Sequence, residues 1–263
     1  MQGGIQTLPE LWSQHLAQEK GLKYLLDTQC SAIKIQHCVG QRTKVHIETN
    51  RGTIEADHVV STLSSPALST IIAKDNSDEV NSLREMIDKI RYTNMAVVTL
   101  QYDGQKIPYN GFGYLVPSKE TLDVLGITFD SQIFPHNVRG GDSSSPSSVI
   151  TVMAGGPRFT ELFGDADAKA NESKATEMAI KAANDTLKLT GEPFRHVTKI
   201  QKHCIPQYHL GHYKVAENIR GHVLQQNMPL SILGTMWGGP GVNDVIVNAR
   251  NDILSWLTSN HLC

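Results

Sequence analysis

The amino-acid sequence predicts an α/β (α+β) fold on three observations. Apolar residues recur at helical spacing in several long stretches, and these alternate with short strand-like runs. Four strand-like runs lie between residues 95 and 154, mostly over short connections, which is the pattern of an antiparallel sheet. A short apolar strand, a glycine-rich loop and a helix succeed one another at 230–257.

The elements can be taken in chain order. Ile5, Leu8, Leu11, Trp12 and Leu16 share a helical face, so residues 5–19 are expected to be an amphipathic helix with Pro9 in its first turn. Strands are expected at 23–26, 30–37 and 44–49, the last alternating Val45, Ile47 and Thr49. Asn50-Arg51-Gly52 is a turn, so 53–56 should return as a hairpin. Residues 57–62 (D-H-V-V-S-T) read as a buried strand ending in Ser64-Ser65-Pro66, a helix entry. Val80, Leu83, Ile87 and Ile90 mark the next helix. The four strands that follow are placed at 95–102, 112–117, 124–131 and 149–154. Gly, Ser, Asn and Pro at 135–148 indicate an exposed loop. An alanine-rich helix is expected at 166–188, a strand at 196–205 and a helix at 212–225. Val242, Val245, Ile246, Ala249, Ile253 and Leu257 then define the closing helix.

Composition excludes several classes. The chain has 263 residues, 40% hydrophobic and 19% charged, enough apolar side chain for one or two cores. A formal net charge of −2, without a basic stripe, argues against nucleic acid. No apolar run approaches the roughly 20 residues that span a bilayer. Cys30, Cys38, Cys204 and Cys263 form no C-x-x-C pair and are expected to be reduced, intracellular thiols. His203, Cys204, His209 and His212 lie close together, but their spacing fits no zinc pattern and Pro206 interrupts them, so no metal is expected.

Chemistry concentrates at the closing segment. Glycines before a helix let a ligand reach the backbone, and the helix start has unpaired N–H groups and a partial positive charge. Val242, Asn243 and Asp244 could therefore receive an anion or a polarised carbonyl, or Asn243 or Asp244 could simply cap the helix. The loop is neither G-x-G-x-x-G nor a P-loop. No G-x-S-x-G or H-E-x-x-H occurs, and no catalytic group is assigned. Asp57 and His58 read as an edge position, and Asp75, Asp78 and Glu79 as the start of a solvated helix.

Seven ordered motifs carry a resemblance. Gly3-Gly4-x-x-x-Leu8-Pro9 opens a helix. Ala56-Asp57-His58-Val59-Val60-Ser61-Thr62 is a strand. Gly111-Phe112-Gly113-Tyr114-Leu115-Val116-Pro117-Ser118, Leu125-Gly126-Ile127-Thr128-Phe129-Asp130-Ser131 and Val152-Met153-Ala154-Gly155-Gly156 follow. Cys204-Ile205-Pro206-Gln207-Tyr208-x-Leu210-Gly211-His212 and Gly239-x-Gly241-Val242-Asn243-Asp244 complete the set. In this order they resemble the oxygen-dependent protoporphyrinogen oxidases of the flavin-containing amine oxidase superfamily, over essentially the whole chain.

The resemblance implies oxidation of protoporphyrinogen IX to protoporphyrin IX in haem biosynthesis, with FAD as cofactor and molecular oxygen as acceptor. It implies peripheral association with the mitochondrial inner membrane, and a homodimer. It places Cys30 at the adenine, Ile200 behind the flavin, and Gly239, Pro240, Gly241, Val242 and Asn243 at the isoalloxazine ring. Leu115, Thr128 and Met153 fall on the porphyrinogen pocket. The fold so implied is a partial FAD-binding two-domain flavoprotein. Residues 1–66 and 200–263 would belong to the FAD-binding domain, and 67–199 to a substrate-binding domain with a mainly antiparallel sheet.

Some family features have no counterpart. The N-terminal Rossmann βαβ unit with G-x-G-x-x-G is absent, so the chain corresponds to the C-terminal half and is expected to bind FAD poorly and be inactive alone. Gly239-Pro240 removes one N–H donor, and Trp237-Gly238 adds bulk near the ring. Two rival readings remain. One is another flavin amine oxidase-type oxidoreductase; the other is a non-catalytic remnant that binds porphyrin or a partner.

Overall fold

A computed structural model describes residues 5–18, 21–36, 43–72, 75, 77–104, 106–135 and 147–259. Gly3-Gly4, Cys38, Cys263 and most of the loop expected at 135–148 lie outside the described residues. The elements begin with α1 (Thr7–Ala17), β1 (Cys30–Gln36), β2 (Lys44–Thr49), β3 (Gly52–Ala56), β4 (Val59–Ser61), α2 (Ser65–Ile72) and α3 (Asp78–Ile87). They continue with β5 (Tyr92–Asp103), β6 (Gly113–Leu115), β7 (Gly126–Thr128), α4 (Asp130–Ile133), β8 (Ser147–Gly156), α5 (Phe159–Phe163) and α6 (Asn171–Leu187). The last are β9 (Arg195–Pro206), α7 (His212–Gln225), β10 (Leu230–Ile232) and α8 (Val242–Ser259).

Two hydrophobic clusters organise these elements. The first joins residues far apart in sequence: Ile33 and Val45 from the antiparallel sheet β1-β2-β3, Leu68, Leu83 and Ile87 from α2 and α3, Ile219 from α7, and Met236 and Trp237 after β10. Within it β4 and β10 form a two-stranded parallel sheet, Val59 opposite Leu230 and Ser61 opposite Ile232. Helix α3 shows why this part folds. Val80, Leu83 and Ile87 sit at i, i+3 and i+7 on one buried face, while Asp78 and Glu79 meet the positive end of the helix and Arg84 its negative end.

The second cluster is a helix-on-sheet layer. Strand order is β6-β7-β8-β5-β9, and every pairing is antiparallel, as expected. Ala96, Val98, Leu100, Ile127, Ile150 and Val152 turn one sheet face toward α6, which answers with Ala175, Ala179, Ala182, Ala183 and Leu187. Alanine favours the helix and its short side chain lets the helix lie close to the sheet. The opposite face carries Thr99, Thr128, Thr151 and Met153, none of them fully buried.

Several sequence-based expectations change. Residues 23–26 form no strand. Gly21 (φ +90°) and Asp27 (φ +52°) turn the chain at either end, and Tyr24, Leu25 and Leu26 are exposed. Only Val59–Ser61 of 57–62 is strand, and Val60 is 45% exposed. Strand β7 stops at Thr128; Asp130 begins a helical turn instead, its carboxylate accepting from the hydroxyls of Thr128 (2.7 Å) and Thr151 (2.5 Å). Helix α5 lies where no helix was expected. Leu68 and Ile71 of α2, with Val80, Leu83 and Ile87 of α3, pack in the first cluster, and β9 runs through residue 200.

Asp75 is not a solvated helix-start acid. It is buried, and its carboxylate accepts the backbone N–H of Ile35 (2.6 Å) and of Ser77 (3.0 Å), tying β1 to the entry of α3. Asp75→Ala strands both donors, so a loss of about 2 kcal/mol in urea unfolding is expected, against little change for Asp78→Ala. Tyr102 presents the opposite case: its hydroxyl is buried without a partner, and burial together with Glu192 pushes the phenol up to about 12. Tyr102→Phe is expected to raise the thermal midpoint, with a gain of about 1 kcal/mol, because it removes a desolvated group that makes no hydrogen bond.

Candidate functional site

The site is built where β10 leaves its parallel pair. The Leu233 N–H continues the pairing to the Ser61 carbonyl at 2.8 Å, and Gly234 (φ +125°) then turns the chain. Met236 and Trp237 are 1% and 2% exposed, so they anchor the loop from beneath. Trp237 therefore points inward, under the Arg220 guanidinium 5.0 Å above its ring, and adds no bulk on the outer side. Beyond it Gly239, Pro240, Gly241, Val242 and Asn243 form the outer surface and lead into α8.

Glycine is required here by contact as well as by conformation. Gly239 sits at φ +140°, and a Cβ there would lie 2.5 Å from Asp244 Oδ2 and 2.9 Å from Asp244 Cβ. At Gly238 an added Cβ would meet the Asn248 side chain at 2.6 Å. The first and second turns of α8 thus pack directly under the loop, an arrangement that motif spacing did not reveal. Among the described residues, the N–H groups of Gly241, Val242 and Asn243 meet no acceptor, and all three residues are exposed. Pro240 has no N–H to add.

Helix α8 is held by polar and aromatic contacts. Arg220 pairs with Asp252 at 2.9 Å. Trp256 packs 4.3 Å from the His58 ring, and His58 Nε2 lies 2.9 Å from Ser231 Oγ, so one histidine links β4, β10 and α8. Burial holds His58 below the ordinary histidine range. A cleft of about 210 Å³ lies between α7, β10 and α8.

The other expected site residues divide between places. Cys30 is half-buried at the start of β1 and packs against the first cluster, the one that anchors the glycine loop. Leu115, Gly126 and Met153 are direct neighbours across β6, β7 and β8, and Thr128 faces Thr151 one rung away, so Leu115, Thr128 and Met153 share one sheet face. Leu115 is 81% exposed. The hydroxyl of Thr128 is held by Asp130, whose partnership with Thr151 and, through it, Thr99 (2.9 Å) the sequence did not disclose. Ile200 pairs with Ala96 and packs on the α6 side, so the structure does not bring it to that face. The His203, Cys204, His209, His212 group disperses: Cys204 is exposed, and His212 is buried with Nε2 2.8 Å from the Met236 carbonyl. Among the described residues no group of three His, Cys, Asp or Glu is arranged to hold a metal, and no helix is long and apolar enough to cross a membrane.

Helix-backed antiparallel sheet, parallel pair and glycine-turned helix start are the parts of a flavin-dependent amine oxidoreductase. The family model described as flavin containing amine oxidoreductase matches residues 1–198, and the chain belongs to that family. Curated relatives include several protoporphyrinogen oxidases. The human protein of that name is 33% identical over 257 residues, 98% of this chain and 51% of its own length. A mitochondrial protoporphyrinogen oxidase of Nicotiana tabacum is 30% identical over 188 residues, 67% of this chain and 34% of its own. The chain spans about half the length of the curated relatives it matches. A crystal structure from Exiguobacterium sp. 255-15, named as a candidate protoporphyrinogen oxidase, superposes with a TM-score of 0.75 at 20% identity, covering 96% of this chain and 51% of that one. A putrescine oxidase variant superposes at 0.60 with 12% identity, over 96% of this chain and 53% of that one. These two likenesses establish the fold.

Gly239→Ala forces the loop off Asp244 and is expected to cost about 1–3 kcal/mol in denaturant unfolding. Gly221, inside α7 with open space around its Cα, is the control: Gly221→Ala should stabilise by about 0.5–1 kcal/mol in the same measurement.

Proposed function

We propose that this chain supplies the isoalloxazine-binding turn and the substrate sheet of an FAD enzyme that oxidises protoporphyrinogen IX to protoporphyrin IX with molecular oxygen as acceptor. The observation that carries the reading is the turn Gly238–Asn243. It offers the acceptor-free N–H groups of Gly241, Val242 and Asn243 on an exposed surface at the positive end of an 18-residue helix. The fit to a flavin is chemical: its pyrimidine edge presents carbonyl and ring-nitrogen acceptors, and this turn presents donors. The relatives' names supply the substrate.

In this reading Gly241, Val242 and Asn243 hold the ring edge, and the backbone at Cys30 receives the adenine. Bound FAD supplies acceptance of hydride from the macrocycle and return of the electrons to oxygen. The chain's own residues bind and orient. Leu115 and Met153 offer an apolar wall to a large apolar ring system, with Gly126 between them keeping that stretch of sheet low. Thr128, held by Asp130, places one fixed hydroxyl on the same face. Ile200 supports the sheet from behind. In this reading residues 1–66 and 200–263 make the FAD-binding part and 67–199 the substrate-binding part; the packing of β1, β2, α7 and β10 in one cluster supports the first grouping. Peripheral association with the mitochondrial inner membrane and a homodimer complete the proposal, resting on family resemblance and on the tobacco relative's name.

The chain alone is expected to bind FAD weakly and to leave protoporphyrinogen unoxidised, since it matches half of its relatives' length. Joined to the N-terminal half of the human relative, it should bind FAD and generate protoporphyrin fluorescence in air. Conversion of amines but not of protoporphyrinogen by the joined protein would favour a different flavin amine oxidase. Folding with porphyrin binding but no flavin band would favour the non-catalytic reading.

A further inference from the structure

The turn that precedes α7 carries a sequence motif to which neither the core nor the proposed ligand contacts give a role. Tyr208 and His212 stand four residues apart, and their rings stack at 4.0 Å with 17° between planes. Both reach the glycine loop. Tyr208 Oη donates to the Thr235 carbonyl at 2.7 Å, lies 3.1 Å from the Trp237 carbonyl, and accepts the Gly239 N–H at 2.9 Å. His212 Nε2 is 2.8 Å from the Met236 carbonyl. A carbonyl only accepts, so Nε2 carries the hydrogen. Two side chains therefore engage Thr235, Met236, Trp237 and Gly239 in succession.

We propose that Tyr208 and His212 are positioning residues that clamp the 235–239 backbone, so that the helix-start amides beyond it stay turned toward the flavin. The assignment rests on the flavin reading of the loop. Its geometry has a direction. The Gly239 N–H is shared between Tyr208 Oη (2.9 Å) and the Trp237 carbonyl (2.8 Å), while the N–H groups of Gly241, Val242 and Asn243 remain open among the described residues. Burial raises the Tyr208 phenol above its ordinary range, which keeps the donor to Thr235 in place. His212 is 1% exposed, and Gly211 (φ +88°) lets the chain turn sharply enough to bring its ring under the loop.

The clamp also reaches the sheet. Pro206 pairs with Tyr92 at the end of β9, and the Gln207 N–H donates to the Arg91 carbonyl at 2.8 Å. Strand β5 lies between β8, which bears Met153, and β9. Tyr208 thus stands one residue from a fixed sheet edge and touches the loop directly, which sets ring-binding turn and substrate face in one frame. A residue serving packing alone would not need its hydroxyl at the junction of three backbone groups.

Tyr208→Phe keeps the ring and its stacking and deletes only the oxygen. In the isotope-labelled chain it should speed amide exchange at Trp237 and Gly239 about tenfold and shift the Gly239 amide resonance, leaving β5 and β8 amides unchanged. His212→Leu should loosen the same two amides, and His212→Gln, whose amide nitrogen replaces the Nε2 donor, should restore them. Unchanged exchange at Gly239 in Tyr208→Phe, or equal loosening by Gln and Leu at 212, would overturn the clamp. Titration with FAD of the chain joined to the N-terminal half of the human relative, read by flavin fluorescence, tests the reading beneath it: weaker quenching with Tyr208→Phe than with the parent sequence supports both. A joined protein that leaves flavin fluorescence untouched removes the flavin from the proposal, and the exchange rates then judge the clamp by themselves.

Discussion

The parallel pairing of β4 with β10 is the contact on which the glycine loop depends. It brings Val59–Ser61 against Leu230–Ile232 across most of the chain, and the second cluster is folded within that span. Closing so long a loop costs entropy that three paired residues cannot repay. The return comes from burial on the inner side: Leu230, Ile232, Met236 and Trp237 enter the core formed with Leu68, Leu83 and Ile87. One side-chain contact, His58 Nε2 with Ser231 Oγ, and one backbone bond, from the Leu233 N–H to the Ser61 carbonyl, then fix the register. If this pairing slipped by one residue, inward and outward positions of β10 would exchange and the loop would lose its buried anchors.

The passage from β9 into α7 helps explain how the pieces of the site are kept in relation across the two cores. Strand β9 is the edge strand of the second sheet, with Ile200 against its core, and α7 belongs to the first. The crossing between them is short and tightly bonded: Pro206 on β5, Gln207 on Arg91, Tyr208 on the loop, His212 beneath Met236. Leu11, Trp12 and Leu16 of α1 stay exposed.

Much of this was legible in the sequence because the signals are local. Helix α7 and the β2–β3 hairpin fall where periodicity and the Asn50-Arg51-Gly52 turn placed them, since a period of 3.6 or 2 is written in consecutive residues. The glycine loop was legible for the same reason: strand, glycines and helix start are contiguous. What stayed hidden depends on distant partners. Residues 23–26 have strand-like composition but find no neighbouring strand, so composition alone misleads. Asp75 looks like any acid ahead of a helix until Ile35 supplies its buried donor. The resemblance places Ile200 on a strand behind the flavin, and only the register with Ala96 shows that it packs on the α6 face, a strand parity that the sequence of one strand cannot fix.

Asp244 sharpens what kind of ligand the loop suits. Its carboxylate lies beneath Gly239 and Gly241, in the first turn of α8, where it offsets part of the positive helix end. A phosphate draws its affinity from that charge and gains least where an acid already sits. A ring carbonyl draws mainly on directed N–H groups, and these are left open at Gly241, Val242 and Asn243. The same arrangement separates this turn from a dinucleotide fingerprint, in which glycines bring backbone up to pyrophosphate. The glycines here serve Asp244 and Asn248 on their inner side. The turn is therefore better matched to the flavin ring proposed for it than to the phosphates of the same cofactor, and those phosphates have no cradle among the described residues.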